Sequence, residues 1–320
     1  MAERSIPLLF GPYGANALAD AGRLAAYEVN AVWFHGFDET AFERCAQHRL
    51  AACVEFKTFR ADFDAHPERV PIGIDGKPIR YGKLVQGICL SQQNFLDEVE
   101  ANLAAGLAQY KPRGIWLDYL SYAGWFETPE PDLQEHCFCP ACIAAFCEDQ
   151  HLDAERPEVI LERYAARWQA YKCRRIAAFA ARYAALIRIK LPDCLIGIYL
   201  CPWTPAEHDG ALTRIFAQDP ALLADSIDIF TPLIYTTKSG RAPDWGKTYL
   251  EMAANWLPAG KPVQLILDML DFPDSLNQAA AAGRPSWGLQ LFGGARAFAD
   301  PEKARVFAQA VQRIRQTPAL

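Results

Sequence analysis

Three acids in this sequence each close a short apolar run of strand length: Glu55 in Leu50-Ala-Ala-Cys-Val-Glu-Phe56, Asp118 in Gly114-Ile-Trp-Leu-Asp118, and Asp268 after Pro262-Val-Gln-Leu-Ile-Leu267. A carboxylate leaving a strand buried on both faces can meet a bound molecule, and burial and neighbouring charges tune its pKa. Asp118 is the leading candidate for acid–base or nucleophilic work. Its strand holds no other ionisable residue, and the aromatic-rich stretch Tyr119-Leu-Ser-Tyr-Ala-Gly-Trp-Phe126 follows it. Asp268 and Glu55 are its candidate partners, with Asp271 a weaker fourth acid. A second group lies just downstream in His136-Cys-Phe-Cys-Pro-Ala-Cys142, where Cys137, Cys139 and Cys142 form a C-x-C-x2-C set. That spacing aims several thiolates at one centre, as zinc requires, and leaves one ligand to be found elsewhere.

The elements that must position these residues alternate. Leu8 to Phe10 reads as a first strand with its loop at Gly11-Pro-Tyr-Gly14, Ala15 to Glu28 as a helix, and Ala31 to Phe34 as a second strand with His35 at its end. Asp38 is placed to cap a helix from Glu39 to His48, and the Glu55 strand follows. The alternation breaks between Lys57 and Gln86, around a hairpin at Ile72 to Ile79 with its turn at Asp75-Gly76. It resumes with a helix from Gln93 to Gln109 and the Asp118 strand. After the cysteines, apolar spacing predicts one long helix from Pro157 to Lys190. Strands are then expected at Leu195 to Leu200, Ile227 to Tyr235, Pro262 to Leu267 and Gly288 to Phe292, with a closing helix from Pro301 to Gln316. Eight strands alternating with helices indicate an α/β protein, a (β/α)8 TIM barrel, with residues 1–320 as one barrel domain and an extended, metal-stapled loop after strand four.

Composition narrows the partners. The 320 residues are 51% hydrophobic, enough for a large core, and the formal charge of -6 with scattered Lys and Arg argues against nucleic acid. No apolar run approaches the ~18 residues of a membrane span. The start of the chain lacks the pattern of a secretory signal, so a cytoplasmic location is expected, and ten cysteines there favour free thiols and a metal site over disulfides. A homo-oligomer is compatible with the sequence.

The cysteine segment resembles the zinc site of the glycoside hydrolase family forty-two β-galactosidases, which carry Cys-aromatic-Cys-x-x-Cys and a short helix after strand four of a barrel. The resemblance spans roughly Gly82 to Leu152 and implies a fourth thiolate at Cys89, in Gln86-Gly-Ile-Cys-Leu-Ser91; on the residues alone, Cys147 or His136 would also serve. Four thiolates leave no open position, which implies a structural zinc rather than a catalytic one. Those galactosidases end strand four with Asn-Glu, whereas this strand continues Trp-Leu-Asp-Tyr-Leu-Ser. The phrase Gly-Ile-Trp-Leu-Asp-Tyr is similar to barrel proteins grouped with the glycoside hydrolases, and to retaining α-galactosidase and α-fucosidase types that place an Asp nucleophile at the end of strand four.

What the resemblance implies is hydrolysis of an O-glycosidic bond by two carboxyl groups at the C-terminal face of the barrel. Asp118 would be nucleophile or acid, with Asp268 or Glu55 as its partner. A carbohydrate substrate also calls for aromatic platforms, and Trp33, Tyr119, Trp125, Trp203 and Tyr235 all fall at or just after predicted strand ends, with His35 able to bond a hydroxyl. A carbohydrate-binding barrel without catalysis, or a lyase or isomerase using the same face, are the other readings.

Overall fold

The computed structural model of the protein describes residues 6–80, 87–153, 155–284 and 286–317. The first residues of the chain and residues 81–86 of the segment after the third strand, both part of the reading above, lie outside the described residues. Eight strands, β1 (Leu9–Tyr13), β2 (Ala31–His35), β3 (Ala51–Lys57), β4 (Gly114–Asp118), β5 (Leu195–Leu200), β6 (Ile229–Ile234), β7 (Leu265–Asp268) and β8 (Gly288–Phe292), pair in parallel in sequence order. β8 returns to β1, with Leu9 beside Gly288 and Tyr13 beside Phe292, so the barrel is closed. Among the described residues no helix is long and apolar enough to cross a membrane.

Strand alternation decides what each side chain does. Phe34, Val54, Phe56, Ile115, Leu117, Ile196, Ile198, Leu265 and Leu289 point outward and bury against the helices. Their neighbours of the other parity, Leu9, Ala31, Trp33, Cys53, Trp116, Leu195, Tyr199 and Ile266, fill the barrel interior. Trp33 and Trp116 meet edge to face at 5.4 Å, and the Trp116 indole N–H donates to Thr231 Oγ1 at 2.8 Å, which satisfies a donor shut off from water. Gly197 makes room for that indole, since a Cβ on it would lie 2.4 Å from Trp116 Nε1. Gly197→Ala should therefore overpack the barrel and cost about 1–3 kcal/mol, visible as a lower midpoint in thermal or urea denaturation; an unchanged midpoint would mean the layer is loosely packed.

Three elements differ from the sequence reading. β1 extends through Gly11 and Pro12, and the missing proline N–H is tolerated because pairing with β2 is confined to Tyr13 opposite Trp33. The helix expected at 15–28 is a chain of short turns, Ala15–Asp20 and Ala25–Tyr27 in 3-10 form around Ala21–Leu24, with Asp20 and Gly22, two weak helix formers, in its middle. The long helix breaks at Tyr164 (φ -129°, ψ 18°) into Pro157–Arg163 and Ala165–Lys190. The first piece turns Ile160 into a separate aromatic cluster with Phe138, Phe146 and Trp168. The helices Gln93–Gln109 and Pro301–Gln316 fall where their apolar spacing put them.

Candidate active site

The parity that sends Trp116 inward also turns Asp118 inward one layer higher, at the carboxyl end of β4. On β3, Cys53, Glu55 and Lys57 share the same face. In register, His35 stands beside Glu55 and Lys57 beside Asp118, so four polar groups converge where the interior opens. Glu55, Lys57 and Asp118 line a cleft of about 320 Å³ bounded also by Tyr13, Tyr119, Trp125, Glu127, Tyr235 and Lys238.

Glu55 and Asp118 are hydrogen-bonded to each other. Glu55 is buried, which opposes its charge, but it is compensated on every side: His35 Nδ1 lies 3.3 Å from Oε2, Lys57 Nζ lies 3.8 Å from Oε1, and the Tyr13 hydroxyl donates to Oε2. Together with the bond from Asp118 these hold Glu55 down at about 2. Asp118 goes the other way. Burial, and then the negative charge of Glu55, push its carboxyl well above the usual range. The two neighbouring carboxyl groups are thus pushed in opposite directions, Asp118 up and Glu55 down. Asp118 Oδ1 accepts the Tyr119 N–H at 3.0 Å, while its carbonyl accepts from the Thr58 N–H and hydroxyl at 2.9 and 2.8 Å, which fixes the strand end.

Across the opening, Lys238 Nζ sits 2.9 Å from Asp268 Oδ2 and 3.1 Å from Glu127 Oε2. The ammonium also lies over the rings of Tyr235 and Phe292, at 4.4 and 4.9 Å from their centroids. Burial alone would weaken this cation, but the two carboxylates outweigh it and raise Lys238 above its ordinary value. Asp271 is a loop anchor: its two oxygens accept the N–H groups of Thr236 and Thr237 at 2.7 and 2.8 Å.

The structure brings together Asp118, Glu55, Tyr119, Trp125 and Tyr235 around the cleft. It places Trp33 in the sealed barrel interior beneath it, 0% exposed. Trp203 is buried in a cluster with Cys201, Leu212 and Phe216, behind the cleft wall that Cys201 and Phe216 help to form. His35 acts on Glu55 from the rim, its side chain 59% exposed. Asp268 stands behind Lys238 rather than on the cleft wall, 4% exposed, with Oδ1 accepting the Leu270 N–H at 2.9 Å. The face of Tyr235 is covered by Lys238, whereas Tyr119 and Trp125, with Tyr13 and Phe126, line the cleft partly exposed. Sequence reasoning missed Glu127 and Lys238. Both lie in loops, where no periodicity marks them; the only hint was the aromatic run ending one residue before Glu127.

The cysteine cluster is assembled from two loops. The sulfurs of Cys89, Cys137, Cys139 and Cys142 lie within 4.8 Å of one another, with Cys89 3.5 Å from Cys139 and 3.8 Å from Cys142. Four sulfurs ~2.3 Å from a tetrahedral zinc stand ~3.8 Å apart, so the donor set fits that ion. The Ile72 N–H points at Cys137 Sγ (3.3 Å) and the Cys142 N–H at Cys139 Sγ (3.4 Å), as thiolates held on a metal require. Of the three candidates for the fourth position, Cys89 is in the cluster. Cys147 packs instead against Phe146 and Trp168, and His136 Nδ1 is 2.8 Å from the Gln134 carbonyl. The site ties the loop after β3, through Ile72 and Cys89, to the loop after β4.

No protein-family model matches the sequence, and no curated protein matches it. Solved structures do. The PgaB (BpsB) glycoside hydrolase domain from Bordetella bronchiseptica superposes with a TM-score of 0.73 at 10% identity, over 94% of this chain and 98% of that one. The shared fold is the closed (β/α)8 barrel. A β-galactosidase from the haloarchaeon Halorubrum lacusprofundi gives 0.66 at 11% identity over 98% of this chain, and a GH42 β-galactosidase from G. stearothermophilus gives 0.65 at 10% over 98%. This chain spans 58% and 57% of those two proteins' lengths. At such identities the likeness is one of architecture.

Proposed function

We propose that the protein hydrolyses an O-glycosidic bond of a carbohydrate, with Asp118 as the proton donor to the leaving oxygen. The observation that carries this reading is the Asp118–Glu55 pair: two carboxyl groups on neighbouring strands at the mouth of a (β/α)8 barrel, whose surroundings push one pKa up and the other down. Bond cleavage needs a carboxylic acid that is still protonated near neutral pH, and Asp118 is buried beside a carboxylate that keeps it so. Carboxyl groups on opposite sides of a scissile bond stand ~5 Å or more apart. Glu55, hydrogen-bonded to Asp118, is too close for that part and acts as a positioning residue that sets the acid's pKa. Tyr119 and Trp125 would support the apolar face of the sugar. Zinc on the four cysteines would have no open position, so its proposed role is to staple the two loops.

Turnover of aryl glycosides across sugars and anomers tests the reading, and its pH dependence tests the role of Glu55. Asp118 must keep its proton to act, so the rate should fall as pH rises through its elevated pKa. Glu55→Gln removes the negative charge that helps raise that pKa, and the alkaline limb should move to lower pH. A limb that stays in place, or moves up, would exclude the assigned roles.

A further inference from the structure

With Glu55 bound to Asp118, the proposed hydrolysis lacks a second carboxyl group on the far side of the bond. The described residues offer two acids near that side. Asp268 is unsuited: one oxygen caps the turn at Leu270, the other is paired with Lys238, and 4% of its side chain is exposed. Glu127 differs on each count. It lines the cleft, 17% of its side chain is exposed, and only Oε2 is engaged, by Lys238 at 3.1 Å; Oε1 has no hydrogen bond among the described residues. Glu127 also lies in the loop that follows Asp118, nine residues on, so one loop carries both groups to the lining of the same cleft.

The geometry points to Glu127 as the second catalytic carboxylate, the group that meets the anomeric carbon while Asp118 protonates the leaving oxygen. This deepens the glycosidase reading and rests on it. In the step, the Asp118 proton passes to the glycosidic oxygen as the bond from that oxygen to the anomeric carbon breaks. Glu127 Oε1 either forms an ester to that carbon, which water later hydrolyses while Asp118 takes up the water's proton, or accepts a proton from the water that attacks it directly. Lys238 favours the charged form of Glu127 and holds Oε2, leaving Oε1 to react. Burial raises both acids above their ordinary pKa, and at Glu127 the ion pair with Lys238 limits that rise.

The experiment uses Glu127→Gln, Glu127→Ala and Lys238→Met in the full chain, with wild-type turnover of an aryl glycoside as reference. Glu127→Gln should lose at least ~100-fold in kcat with its melting midpoint nearly unchanged. Sodium azide should restore turnover to Glu127→Ala, yielding a glycosyl azide with anomeric configuration opposite to that of the substrate. Lys238→Met, which removes the same loop tie, should lose much less. Equal losses in Glu127→Gln and Lys238→Met without azide rescue would reduce Glu127 to a loop anchor and overturn the inference, as would a Glu127→Gln variant with near wild-type kcat. Both leave the glycosidase reading standing, provided the wild type turns over. A wild type that cleaves no glycoside it binds would sink that reading and this inference with it.

Discussion

Asp118→Asn should abolish most of the turnover, by at least ~100-fold on glycosides with poor leaving groups, while the protein folds and binds sugar as before. The amide is expected to preserve both hydrogen bonds of the acid: its oxygen can accept the Tyr119 N–H and its NH2 can donate to Glu55. What it lacks is a transferable proton. The loss should therefore shrink on a dinitrophenyl glycoside, whose leaving group needs no protonation. Stability should move in the opposite sense from activity. Asp118 binds its proton more tightly folded than unfolded, so the stability this contributes is present below its unfolded value and is lost as pH rises through the folded one. Asn has no such loss, and the variant should melt at or above the wild-type temperature in alkaline buffer. A variant equally impaired on all leaving groups would make Asp118 a nucleophile, and one with intact turnover would make it a structural anchor.

Freshly purified, reduced protein should carry about one zinc per chain, and losing it should be the largest stability change that a single residue outside the barrel can cause. Ile72 and Phe138 are joined by a 2.8 Å backbone hydrogen bond beside the cluster, and Gly73 bridges to His136, so a metal there would hold together a small antiparallel patch that has little core of its own. Cys139→Ser or prolonged chelation should lower the melting midpoint by ~5 °C or more, less than in a zinc finger, because the barrel keeps its own core. The effect should reach the cleft. Gly87, in a left-handed conformation (φ 65°), lies against Ala123 so closely that a Cβ would be 2.5 Å from its Cα, and both belong to the tied loops. Metal loss is thus expected to raise KM more than it lowers kcat. Elemental analysis without zinc, or a metal-free protein of full stability, would contradict the staple.

The strands and the acids at their ends were legible because alternation is a local rule. Once Trp116 faces inward, so must Asp118, and Glu55 follows from the same parity on β3. The rule does not say how deep a residue lies. Trp33 and His35 share a face of β2, yet one is sealed in the barrel and the other is at the rim, since depth is set by the stagger between strands. Glu127 and Lys238 were hidden for a different reason. Their meeting depends on how the loops after β4 and β6 cross the opening, which is a matter of long-range packing and not of sequence period. The exclusion of Cys147 and His136 likewise needed the fold, because sequence spacing allows either to reach the other three sulfurs.

The most direct measurement is an oligosaccharide library scored in parallel for binding to the wild type and for release of new reducing ends. The account predicts at least one ligand that binds and is cleaved, with cleavage but not binding lost in Asp118→Asn. Ligands that occupy the cleft, are displaced by Trp125→Ala, and are never cleaved would contradict it, leaving a barrel that holds carbohydrate without breaking it.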